Sequence, residues 1–193
     1  MIPRILHRVV PEVVPARFDD YWKRWGDLHP DWELRTWQDP LDPDDWELGR
    51  LFSRCTAGAQ LAGLVRLEVV WRFGGVYVDM DVEPVRPVND LLSHACFFGT
   101  EGGGILTDAI FGAEVNHPGI RACIDLLVDG YWSANPSDTG PRLTTAVLSG
   151  RDDVTVLPQE AFYPYLWHED EVPPKPGTYA IHRWNHSWKD WQS

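Results

Sequence analysis

Hydrophobic and polar positions change period several times along the chain, and each change marks an element. Residues 4–10 alternate and predict a first strand, ended by Pro11. Between residues 16 and 28, Phe18, Tyr21, Trp22 and Trp25 recur at helical spacing, so a helix is expected, closed before Pro30. Residues 32–37 read as a second strand. Asp42-Pro43-Asp44-Asp45 puts Asp at an N-cap position and Pro in a first turn, which predicts a short helix through Phe52. Residues 56–73 hold no Pro and are apolar nearly all round, the pattern of a buried helix, with Gly74-Gly75 as its stop. Val76-Tyr77-Val78-Asp79 then reads as a buried strand. Further strands are expected at 95–99, 105–113, 154–157 and 178–182, with helices at 120–131 and 142–148. Strands alternating with helices imply an α/β sheet.

Composition narrows this picture. A chain of 193 residues suits one domain, and 44% hydrophobic residues supply a full core. Eleven Trp exceed the usual share and favour ligand binding, because the indole face stacks on bases and sugar rings. The net charge is −12 and the 17 Lys and Arg are scattered, so no extended nucleic-acid surface is expected. That charge suits a divalent cation, on which a phosphate-bearing substrate could arrive. Cys55, Cys96 and Cys123 are widely spaced, with no CxxC or zinc spacing, and read as reduced thiols. The first residues lack a long apolar run, so neither a signal peptide nor a membrane span is expected, and cytoplasm is the default compartment.

The chemistry is expected where the buried strand runs into Asp79 and Asp81. Positions i and i+2 of a strand face the same way, so the two carboxylates converge if extension persists through Met80. Two carboxylates aimed at one point repel unless a cation separates them. Mg²⁺ or Mn²⁺ suits such oxygen ligands, and would bridge the phosphates of a nucleotide diphosphate and stabilise a departing one. The carboxyl ends of strands are where open α/β sheets bind ligands. Glu83 would face the same way as Asp81 if extension continued, but Pro84 follows it, so it reads as a solvated turn residue. Gly102-Gly103-Gly104 is followed by no Lys-Ser/Thr, so it is a tight turn rather than a phosphate loop.

Arg66, Gly74-Gly75, Val76-Tyr77-Val78-Asp79, Asp81 and Arg86-Pro87 resemble the DXD-containing glycosyltransferases of family 32, the Och1-like mannosyltransferases related to clostridial glucosylating toxins. Ile2-Pro3-Arg4-Ile5-Leu6-His7, His29-Pro30-Asp31-Trp32 and Phe162-Tyr163-Pro164 are similar to further family elements, as is Ala180-Ile181-His182 with Ser187-Trp188. The resemblance implies a GT-A-type single domain over residues 1–193, a Rossmann-like nucleotide-binding sheet with helices on both faces. It also implies a UDP- or GDP-sugar donor, Mn²⁺ or Mg²⁺, and retention of anomeric configuration.

Carried over by position, the catalytic set is Asp79, Asp81, Arg66 and Asp108. Donor contacts fall to Tyr77, Arg66, Asp79, His7, Ser187 and Trp188, and the metal to Asp81, Asp79 and His182. Asp108 is placed toward the acceptor side. Two positions depart from the family. Gly63 stands where an Asp is usual, three residues before Arg66, and Val9-Val10 stand where an aromatic stacks on the base. Two other readings of the carboxylates remain. One is a non-catalytic module that binds sugar nucleotides or glycans. The other is a metal-dependent hydrolase or nucleotidyltransferase.

Overall fold

The computed structural model describes residues 1–132 and 135–185. Six strands form one sheet in the order β2-β1-β3-β6-β5-β7. They are β1 Ile5–Val10, β2 Glu33–Gln38, β3 Gly75–Val78, β5 Cys96–Thr100, β6 Leu106–Ala113 and β7 Thr155–Leu157. β1 runs parallel to β2 and β3, while β6 is antiparallel to both β3 and β5. A separate two-stranded pair joins β4 Val82–Pro84 to β8 Ala180–His182.

The helices are α1 Ala16–Leu28, α2 Gly58–Phe73, α3 Pro118–Val128 and α4 Pro141–Leu148. Alternation along each strand sends side chains into two cores. Tyr77, Phe98 and Phe111 pack with α2, α3 and α4, and Phe98 stacks on Phe111 at 4.6 Å. Val76, Val78, Phe97 and Ile110 face the opposite way, with Trp25 of α1 and Phe162. Helices therefore cover both faces, and the α/β expectation is borne out.

Most predicted elements are found within a few residues; α3 ends at Val128, short of Tyr131. The helix expected over residues 42–52 is not formed. Two 3₁₀ turns, Pro43–Asp45 and Gly49–Arg54, take its place, with extended Trp46 between them. The cause lies on α2. The buried Glu68 carboxylate accepts the N–H groups of Glu47 at 2.8 Å and Leu48 at 2.9 Å, drawing them out of a helical ladder.

α2 is buried nearly all round, as its sequence predicts. Gly74 and Gly75 turn the chain at φ of 62° and 98°. A Cβ on Gly74 would lie 2.7 Å from Pro3, and one on Gly75 would lie 2.6 Å from the Ile5 carbonyl, so both positions require Gly. That turn aims β3, and the carboxylates after it, at the carboxyl edge of the parallel strands. Among the described residues, no helix is long and apolar enough to cross a membrane.

Candidate functional site

Asp79 leaves the end of β3 with its N–H bonded to the Ala109 carbonyl at 2.7 Å. The strand does not continue through Met80. A turn closes instead, the Val82 N–H reaching the Asp79 carbonyl at 3.1 Å. Asp79 and Asp81 therefore converge through this turn, not through the strand alternation expected. The pairing of Val82 with His182 then sets β8 beside it. Trp25 of α1 fixes β4 from below, its indole N–H donating to the Val82 carbonyl at 3.0 Å. Asp79, Asp81 and His182 each bring one ligand atom into a group spanning no more than 4.8 Å.

The two carboxylates have different surroundings. Tyr77 Oη donates to Asp79 Oδ1 at 2.7 Å, and Arg66 of α2 approaches the same carboxylate at 3.2 Å. Burial is the main influence on Asp79 and pushes it up to about 6; Arg66 opposes this, while Asp81 and Asp108 add to it. For Asp81, burial is outweighed by the charge and hydrogen bond of His182, 3.4 Å away, and by the Asn185 N–H at 3.0 Å. Its carboxyl is held below the usual range. In return, Asp81 raises His182 against the effect of burial.

Arg66 is the hub of the interior side. Its guanidinium donates to the Asp108 carbonyl at 2.8 Å, lies 3.4 Å from the Asp108 carboxylate, and covers the Tyr77 ring at 4.8 Å. Burial disfavours its charge, but Asp108 and Asp79 more than compensate, so it stays ionised. Asp108, on β6, is 4% exposed, and burial raises its carboxyl. Among the described residues, its Oδ2 accepts no hydrogen bond, and the buried His182 Nδ1 has none either.

These groups open on a cleft of about 470 Å³. Arg66, Asp79, Asp81, Asp108 and His182 all line it. His7 and Tyr77 do not. His7 is fully buried, donating from Nε2 to the Gly74 carbonyl at 2.9 Å and accepting at Nδ1 from Trp37 at 3.2 Å. Burial lowers it to about 4, so it is neutral and holds the Gly-Gly turn. Tyr77 is fully buried and reaches the cleft only through Asp79. Neither side chain stands where the donor contact expected of it would be made. Ser187 and Trp188 lie outside the described residues.

Gly63 has a steric reason. A Cβ there would meet the Thr139 carbonyl and Oγ1, each at 2.5 Å, so the turn at Pro136–Thr139 occupies the space of a side chain. That turn brings Ser137 and Gly140 to the cleft wall.

Sequence reasoning passed over Glu101, Trp167 and Tyr163 as site residues, although all three line the cleft. Glu101 had a signal, a lone carboxylate between a strand and three glycines at φ of 92°, 61° and 80°. Trp184 lies against His182 with ring centroids 4.2 Å apart and also lines the cleft.

The carboxylate, carboxylate and imidazole donors form a hard-to-borderline set that fits Mn²⁺ or Mg²⁺, and the Asp108 Oδ2 and His182 Nδ1 atoms, without hydrogen bonds among the described residues, leave polar capacity for a ligand.

Comparison with known proteins agrees with this geometry. A family model described as a glycosyltransferase sugar-binding region containing the DXD motif matches residues 15–98. Human alpha-1,4-N-acetylglucosaminyltransferase is 29% identical over 143 residues, covering 63% of this chain and 41% of that protein. Human lactosylceramide 4-alpha-galactosyltransferase is 28% identical over 148 residues, covering 65% and 41%. The chain thus spans about two fifths of the length of these relatives. Among solved structures, the PaToxG glycosyltransferase matches with a TM-score of 0.64 at 15% identity, covering 76% of this chain and 69% of that one. The fold is of the GT-A type, and the resemblance drawn from residues 66–87 to DXD glycosyltransferases is borne out.

Proposed function

We propose that this chain is one glycosyltransferase domain that moves a sugar from a nucleotide-diphosphate donor to an acceptor hydroxyl, with retention and with Mn²⁺ or Mg²⁺. The observation that carries the reading is the meeting of Asp79, Asp81 and His182 beside an open cleft at the carboxyl end of β3. Asp81, Asp79 and His182 would hold the cation. When bound, it would offset diphosphate charge and ease departure of the leaving group.

The remaining work falls to this chain's own residues. Val9 of β1 and Ala59 and Ala62 of the first turns of α2 form the wall over the parallel half of the sheet, where a nucleotide fits. The α2 N-terminus favours the donor's negative charge there. Arg66 pairs with Asp79 and Asp108, opposes the rise that burial causes in both, and fixes them in place for donor hydroxyls and cation. Retention and the choice of UDP or GDP rest on the family resemblance. The three free thiols support action in a reducing compartment, the cytoplasm.

The test is thermal stability against UDP-, GDP- and dTDP-sugars with and without Mn²⁺. A donor at one hundred times its Kd adds about 2.7 kcal/mol of stability. The expected result is a rise for one donor that requires Mn²⁺ and disappears in Asp81→Ala. No rise with any nucleotide sugar in the wild-type protein overturns the proposal.

A further inference from the structure

The cleft has two unlike walls. Toward β1 and α2 it is small and apolar, formed by Val9, Ala59 and Ala62. Toward β5 and β8 it is aromatic and acidic. Tyr163, His182 and Trp184 contact one another in series, with centroids 5.7 Å and 4.2 Å apart. Trp184 is held at a φ of 51°, rare for a bulky residue, between two backbone groups that bind Asp81: the Arg183 N–H reaches its carbonyl and the Asn185 N–H its carboxylate, each at 3.0 Å. Its indole N–H donates to the Tyr165 carbonyl at 3.0 Å.

Two residues after Tyr165, Trp167 also lines the cleft. It is 64% exposed, an unusual position for the residue type that gains most from burial. It touches His168 edge-on and spends no indole hydrogen bond within the described residues. Glu101 lines the same cleft, half-buried, its carboxylate free of hydrogen bonds among the described residues.

We infer that Trp167 and Glu101 form the acceptor subsite, and that the acceptor is a neutral pyranoside. This rests on the donor reading above, which assigns the opposite wall to the nucleotide. An exposed indole face offers a platform for the apolar face of a sugar ring. A free carboxylate in the same cleft accepts ring hydroxyls, as charge-assisted bonds stronger than neutral ones. The surroundings select against anions. Asp79, Asp81, Asp108 and Glu101 outnumber Arg66 and His182 in the cleft, and Glu169, Asp170 and Glu171 follow Trp167. An acceptor bearing carboxylate or phosphate meets repulsion there, whereas a donor diphosphate arrives with its cation.

The experiment is saturation-transfer NMR of the methyl glycosides of galactose, glucose, mannose, N-acetylglucosamine and glucuronic acid. They are added to the full chain with UDP or GDP and Mn²⁺. The nucleotide-dependent melting shift is read on the same samples. The result expected is contact to the ring protons of at least one neutral glycoside and none to the glucuronide. In Trp167→Ala and Glu101→Gln, the Kd for that glycoside rises roughly tenfold, Trp167→Phe recovers most of the loss, and the nucleotide shift is unchanged.

A Kd for that glycoside that is unchanged in Trp167→Ala overturns the inference, as does binding of no neutral glycoside. Loss of the nucleotide shift in Trp167→Ala also overturns it, by assigning Trp167 to the nucleoside. Absence of any nucleotide shift in the wild-type protein strikes the donor reading instead, and the glycoside contacts of the nucleotide-free protein and its variants then decide the inference alone.

Discussion

Asp79 and Asp81 stand two residues apart and face one cleft, yet they belong to different regions. Asp79 is tied to the interior of the main sheet, through Arg66 of α2, Tyr77 of β3 and Asp108 of β6. Asp81 is tied to the two-stranded rim, through His182 of β8 and the backbone of the segment after it. Burial prevails at the first and raises it to about 6; partners prevail at the second and lower it. The difference teaches that the site is supported twice. The interior holds one carboxylate on a network built into the core, and the rim supplies the other carboxylate and the imidazole by strand pairing.

The largest break in that comparison comes from Arg66→Ala. Removing it leaves Asp79 and Asp108 facing each other in the interior without their cation. Truncating one member of a buried ionic group costs about 3–5 kcal/mol. Urea unfolding should show a loss of that size, and the Asp81–His182 rim should be spared until the fold itself fails. A loss under about 1 kcal/mol, the scale of an exposed pair, would place the Arg66 network in solvent rather than in the core.

pH sharpens the comparison next, in metal-free protein. Asp79 has a folded value above its unfolded one of 3.8, so the native state binds the extra proton. Stability falls as pH rises from near 4 through about 6. His182 is also raised in the folded state. Its contribution is present below 6.5 and is lost as pH climbs through the folded value. Asp81 is lowered, so its contribution is lost only in acid, below 3.8. Between pH 4.5 and neutrality, interior and rim therefore act in one direction. The side chain of Asp79 keeps 24% exposure, which trims the effect to on the order of 2 kcal/mol. Urea midpoints at pH 5 and pH 7.5 should show the fall, and Asp79→Asn should remove most of it. A cation competes with these protons, so Mn²⁺ should stabilise more at pH 7.5 than at pH 5. Equal stabilisation at both values would sever the cation from Asp79 and His182.

The same division explains what the sequence disclosed. Much of the interior side lies in one stretch: helix, Gly-Gly turn, apolar strand and carboxylate follow one another between Arg66 and Asp79, so local pattern sufficed to find Asp79, whereas the roles of Arg66 and Asp108 came from the family resemblance. The rim is assembled across about a hundred residues, from Asp81 to His182. Only the family resemblance pointed to His182, because nothing in Ala180-Ile181-His182 announces its pairing with Val82. Long-range contacts also defeated local reading at residues 42–52, where Glu68 on α2 captures two backbone amides that a capping pattern assigns to a helix. His7 and Tyr77 show the converse limit. A position shared with a family says which strand a residue is on, but burial decides whether it touches the ligand or supports a residue that does. Gly63 has the same lesson from the other side, its missing side chain being the space Thr139 fills.

Tyr77→Phe makes the finest cut, because it takes one oxygen from the interior side and nothing from the rim. The lost bond runs from Tyr77 Oη to Asp79 Oδ1 at 2.7 Å. A hydrogen bond to a charged group contributes about 1.5–3 kcal/mol. Asp79 keeps Arg66 and partial access to water, so the stability loss should sit at the low end, about 1.5 kcal/mol. Phe preserves the ring beneath Arg66 and its packing against Phe111. The informative readout is the division between binding and turnover. If Tyr77 acts by orienting Asp79, transfer should slow by about the tenfold that 1.4 kcal/mol represents, while Mn²⁺ affinity, which Asp81 and His182 share with Asp79, falls by less. Equal losses in cation affinity and in rate would mean that the two carboxylates respond as one unit, and the separation of interior from rim would fail.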